Sequence, residues 1–108
     1  MTAFNDREKA AEAKFSRDQE TAFKIMARRN KLLGLWVAEH LGIDGGEAEA
    51  YAREVVKADF ERPGEEDVFE KIWEDLQSRS IDLSEHRVRR QMADLMEEAE
   101  RQIVEEGT

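Results

Sequence analysis

At 108 residues the chain is long enough for one modest hydrophobic core and too short for two, so a single domain is expected. Charged residues make up 40% and aromatic residues 7%; with one proline and few β-branched runs, this suits helices with much solvated surface and argues against a β-sandwich. A net charge of −9 argues against general nucleic-acid binding, which needs a basic footprint.

The absence of cysteine removes any disulfide framework and is compatible with the cytosol. Neither an apolar signal core nor 18 consecutive apolar residues occurs, so the expectation is a soluble cytoplasmic protein without direct membrane insertion. The charge is uneven. Residues 1–33 carry eight Lys/Arg against five Asp/Glu, about +3, which leaves about −12 for residues 34–108. The N-terminal end is therefore the better candidate to meet an acidic partner.

Four helices are predicted, at about 16–42, 45–60, 63–78 and 83–105. The first has two candidate starts: Asn5 with Glu8, and the more usual capping pair Ser16 with Gln19. A second start inside helix-prone sequence suggests a division into a mobile, helix-prone segment, residues 1–15, and a bundle, residues 16–108. From there Ala22, Ile25, Met26, Leu33, Trp36 and Val37 share one side, and Leu32, Leu35 and Leu41 widen the arc. Gly42 and the "GIDGGE" stretch end this helix, and Asp44 with Glu47 can cap the second, whose apolar side is Ala48, Tyr51, Ala52, Val55 and Val56. Pro63 suits the first turn of the third helix, which offers Val68, Phe69, Ile72, Trp73 and Leu76. Asp82 or Ser84 can cap the fourth, with Val88, Met92, Leu95, Met96, Ala99 and Ile103 at helical spacing. Short connections favour antiparallel neighbours, so the expected fold is all-α, an antiparallel four-helix bundle preceded by the mobile segment.

The N-terminal segment raises a question of its own. Phe4, Ala11, Phe15, Ala22, Met26 and Leu33 are spaced 7, 4, 7, 4 and 7, and so keep close to one line along a helix. Burying two phenylalanines is worth roughly 3–6 kcal/mol, whereas ordering a dozen residues costs about 1–2 kcal/mol each. Alone, the segment is marginal. Two outcomes stay open: a helix end that frays or docks its phenylalanines on its own bundle, and a recognition helix that orders in a partner's groove.

Chemistry-bearing patterns are scarce. Glu-x-x-His on two helices, the mark of a dimetal bundle, fails at both histidines because Val37 and Leu83 precede His40 and His86 by three. His40 lies in line with the first helix's apolar stripe, where a hydrogen-bonded, partly buried imidazole is expected. Ser16, Ser78, Ser80 and Ser84 fall at caps or turns, and no nucleophile elbow, Walker loop or calcium loop is present. No metal and no enzymatic activity are expected. In Arg28-Arg29-Asn30-Lys31 the side chains leave the helix in different directions. Arg29 falls on the apolar stripe and calls for an internal ion pair with helix 2 or 4. The other reading is an anchor for a partner's carboxylate, or a weak phosphate site shared with Arg87, Arg89 and Arg90.

"FNDREKAAEAKF", "ARRNKLLGLW", "YAREVVKADFE" and "GEEDVFEKI" resemble the zeta subunit, an ATPase inhibitor, of the alphaproteobacterial F-type ATP synthase. The resemblance spans nearly the whole chain, with "ARRNKLLGLW" its most specific stretch and "VRRQMADLM" a looser one. It implies a four-helix bundle with a mobile N-terminal segment that folds as a helix into a catalytic α/β interface near γ and blocks hydrolytic rotation. Carried onto this chain, the partner contacts are Phe4, Arg7, Lys9, Ala11, Lys14 and Phe15. The partners would be the synthase α, β and γ subunits, met at the cytoplasmic face of the inner membrane, with a monomer when free. No cofactor is required. For the weak ATP or ADP binding thought to occur on the bundle of some members, Arg28, Arg29 and Lys31 are the candidate contacts. Two further readings are kept beside inhibition: an adenine-nucleotide sensor, and a general helix-in-groove adaptor.

Overall fold

The computed structural model describes residues 2–107, with side chains described for residues 18–107. Its elements are four helices in chain order: α1 (Thr2–Leu41), α2 (Gly45–Glu61), α3 (Glu65–Ser78) and α4 (Glu85–Glu105). The expected all-α, four-helix architecture is what is found, with no strand among the described residues.

The ends of the helices show how local chemistry sets the topology. At the end of α1, Gly42 adopts φ +78°, its N–H donates to the Glu39 carbonyl at 3.2 Å, and the Ile43 N–H donates to the Ala38 carbonyl at 3.0 Å. This paired return closes the last turn, and the Ile43 side chain packs back on the core. Asp44 takes the N-cap position of α2 in extended backbone, yet its side chain makes no cap hydrogen bond. Pro63, expected in the first turn of α3, instead lies before it. Gly64 is the N-cap at φ +144°, a conformation open to glycine, and its N–H reaches Asp59 Oδ1 at 3.4 Å. The first turn of α3 is Glu65, Glu66 and Asp67, three carboxylates at a helix N-terminus. Of the two candidates for α4, Ser84 is the cap, its Oγ accepting from the Arg87 N–H at 3.0 Å.

α1 is the hub. It packs mainly against α2 and α4 and also meets α3, while α2 and α4 lie on either side of it without meeting. The core is drawn from all four helices: Leu33 and Val37, Val55, Val68, Ile72 and Leu76, and Val88 are fully buried. α1 and α2 approach most tightly at Gly34, where an added Cβ would sit 2.5 Å from the Ala52 Cα. No other residue fits there without moving backbone.

Candidate functional site

The burial of α1 changes along its length. Asp18 to Lys24 are exposed apart from half-buried Thr21, Ile25 to Arg28 are half-buried, and Arg29 and Asn30 begin the buried stretch. The cause is the reach of its neighbours. α2 ends beside the lower part of α1, where Phe60 meets Phe23 edge-on at 6.5 Å, and α3 starts beside Arg29. The ladder of apolar residues read from the sequence therefore crosses this gradient: Ala22 is exposed, Met26 half-buried and Leu33 fully buried. Its lower members, with the predicted contacts Phe4, Arg7, Lys9, Ala11, Lys14 and Phe15, fall in α1, and their side chains lie outside the described residues.

Within "ARRNKLLGLW" three successive residues of α1, Arg28, Arg29 and Asn30, reach three different neighbours. Arg28 reaches α4, giving hydrogen bonds to Gln102 Oε1 at 2.7 Å and to both carboxylate oxygens of Glu106 at 2.5 and 2.9 Å. The Arg28 hydrogen bond, with Lys24 and Lys31 nearby, holds the Glu106 carboxyl below the usual carboxylate range; the same hydrogen bond raises the guanidinium's own pKa. Arg29, fully buried, donates from Nη1 to Glu65 Oε1 at 2.5 Å and from Nε to Asn30 Oδ1 at 2.8 Å. Asn30 Nδ2 in turn donates to Asp59 Oδ2 at 2.8 Å on α2. Gly34 admits α2, and Trp36 carries the Arg87 guanidinium over its ring at 5.4 Å.

The internal ion pair predicted for Arg29 thus exists, but its partner is at the start of α3 and not on helix 2 or 4. Its Nη2 is buried without a hydrogen-bond partner among the described residues. Of the three cations singled out as contacts, Arg29 is enclosed, Arg28 is engaged by Glu106, and Lys31 is exposed. The shared phosphate site with Arg87, Arg89 and Arg90 is not assembled. Arg28 meets the far end of α4, about 28 Å along that helix from Arg87 at 1.5 Å per residue. Arg89 is taken up by Glu66, by Glu85 and by the face of Phe69 at 4.0 Å.

His40 Nδ1 lies 3.0 Å from the Trp36 carbonyl, which only accepts, so that nitrogen carries the proton; the ring packs on Trp36 at 4.5 Å. His86 is exposed. Among the described residues no group of three His, Cys, Asp or Glu could hold a metal ion, and no helix is long and apolar enough to cross a membrane. A half-buried clamp escaped the sequence reading: Tyr51 Oη donates to Asp75 Oδ2 at 2.6 Å, and Lys71 Nζ to the same oxygen at 2.8 Å. Burial first, and then the Asp75 carboxylate, push the Tyr51 hydroxyl well above its ordinary pKa. Lys71 and Asp75 are an i,i+4 pair within α3, but the Tyr51 contact comes from pairing α2 with α3, for which one sequence carries no signal.

A groove escaped it too. Because α2 and α4 flank α1 without touching, an open channel of about 990 Å³ runs between them over α1. Phe23 and Phe60 stand in its wall, 59% and 72% exposed. Lys24, Lys31 and Arg53 also line it and make no ion pair among the described residues, while Lys57 reaches only Glu61, at 3.8 Å.

A family model described as ATPase inhibitor subunit zeta matches residues 1–102. A solution NMR structure is similar at 54% identity and a TM-score of 0.69, over 78% of this chain and 95% of that one. No curated protein matches.

Proposed function

The chain belongs to the ATPase inhibitor subunit zeta family, and we propose that it restrains ATP hydrolysis by an F-type ATP synthase. In this reading the N-terminal segment enters a catalytic α/β interface near γ as a helix and obstructs hydrolytic rotation, while the bundle stays outside. The observation that supports it best is the burial gradient of α1, a helix that runs from Thr2 and whose described side chains, from Asp18 on, are covered by the bundle only from about Ile25. The ladder through Phe4, Ala11 and Phe15 continues the line that enters the bundle's own core at Leu33. A partner's cleft would take below what α2, α3 and α4 take above. Arg7, Lys9 and Lys14 would pair with carboxylates at the mouth of that cleft.

Folding on binding keeps such a block reversible, because the ordering cost of the segment subtracts from its contact energy. One-way obstruction needs a site that tightens in one rotary sense and opens in the other. A nucleotide-sensing role on Arg28, Arg29 and Lys31 draws little support from the geometry, since Arg29 is enclosed and Arg28 is committed to Glu106. The test is ATP hydrolysis by the cognate synthase head, titrated with the full chain, with a form lacking residues 1–15, and with Phe4→Asp/Phe15→Asp. Inhibition by the full chain alone is expected. Equal inhibition by all three would move the activity onto the bundle.

A further inference from the structure

The groove between α2 and α4 has no role in that account, and its chemistry is unlike the rest of the molecule. The chain carries a net charge of −9, yet five of the groove's lining residues are basic (Lys24, Arg28, Lys31, Arg53 and Lys57) against two acidic ones, Glu49 and Glu106. Arg28 and Glu106 neutralise each other, so the groove presents Lys24, Lys31 and Arg53, which make no ion pair among the described residues, beside two exposed aromatic rings. Its volume, about 990 Å³, is room for roughly two turns of a helix 10 Å across. Exposed phenylalanines flanked by cations fit an amphipathic helix whose polar face is acidic.

We infer that this groove is a second docking surface, which seats an acidic amphipathic helix of the same ATPase that the N-terminal segment enters. The inference rests on the proposed function for the identity of the partner and on the groove for the contact. Proximity supports it: Phe23 lies eight residues beyond Phe15 on α1, about 12 Å at 1.5 Å per residue, so a partner holding Phe15 has surface beside Phe23. The chain's own N-terminus is a poor occupant. Residues 1–17 carry four basic against three acidic side chains and so bring no net negative charge to the cations. Docking here would lengthen the residence of the inhibitor, and its charged part would weaken as salt rises.

The experiment uses the full chain with the cognate ATPase and follows binding and inhibition separately, at low and high salt. Lys31→Glu/Arg53→Glu and Phe23→Ala/Phe60→Ala alter exposed side chains, and helicity and Tm check that each variant is folded. Each pair is expected to weaken binding by about tenfold through faster dissociation, with the charge pair also flattening the salt dependence. Phe4→Asp/Phe15→Asp is expected to abolish inhibition while retaining weak, salt-sensitive binding through the groove. Wild-type binding by both groove variants would overturn the inference and leave the inhibitory reading intact. Full inhibition by Phe4→Asp/Phe15→Asp would overturn the inhibitory reading instead. Two other results also overturn the groove inference. One is a concentration-dependent dimer dissolved by the charge pair, which makes a second copy the occupant. The other is ATP chemical shifts mapping to Lys31 and Arg53 with no effect of either variant on ATPase binding.

Discussion

Two stretches of α1 only a few turns apart are held by different physics. Between Arg28 and Val37 the helix is bonded or packed to α4, α3 and α2 in turn, and its backbone meets that of α2 at Gly34. Between Asp18 and Lys24 the same helix is exposed apart from Thr21, and beyond the edge-on contact of Phe23 with Phe60 intrinsic propensity does most of the holding. The contrast teaches that helix length is no measure of what a bundle stabilises. One apolar line runs through both stretches, and among the described residues its burial rises from exposed Ala22 through half-buried Met26 to fully buried Leu33.

Substitutions can break this contrast at its strongest point first. Gly34→Ala places a methyl against backbone and should destabilise by about 3 kcal/mol, lowering Tm by more than about 10 °C. A change of less than a few degrees would mean that the helices slide apart freely. Glu65→Gln should cost about 1–2 kcal/mol in urea unfolding, discounted because Glu65 is 58% exposed, since it leaves the Arg29 charge buried without its counter-ion. Arg29→Met should cost less than Glu65→Gln; the reverse order would show that the pair is worth more than an apolar contact. In the outer stretch, Ala22→Gly should cost at most about 1 kcal/mol, its effect on helicity exceeding its effect on Tm.

The smallest expected effect concerns pH. Arg28 depresses the Glu106 carboxyl pKa, so the pair's contribution is present above the ordinary carboxylate pKa and is lost as pH falls through the depressed one. Hydrogen exchange in the last turn of α4 should therefore quicken in acid, relative to the rest of α4. Glu106→Gln should remove that dependence.

How much of this was legible in the sequence follows from what each feature needs. Periodicity put Leu33, Val37, Val55, Ile72 and Val88 on the right faces, because burial on one side of a helix is a property of spacing alone. It also required a partner for Arg29 but could not say which helix would lie over it. That depended on the turn at residues 62–64, which delivers Glu65 to the buried guanidinium. Pro63 was misplaced for a related reason: the preference for proline in a first turn is weaker than the need for glycine at φ +144°. The groove was illegible, since it arises from two helices failing to meet.

The enclosure of α1 from Ile25 upward also has a mechanical consequence. A cleft that draws this helix in can swallow it only to about Ala22, roughly 30 Å of rod at 1.5 Å per residue; going further would strip α2 and α4 from their hub. In the proposed mechanism the bundle would then serve as a collar on a bolt, fixing how deep the tip can travel, so that insertion ends at a set stroke even where the cleft itself is deeper.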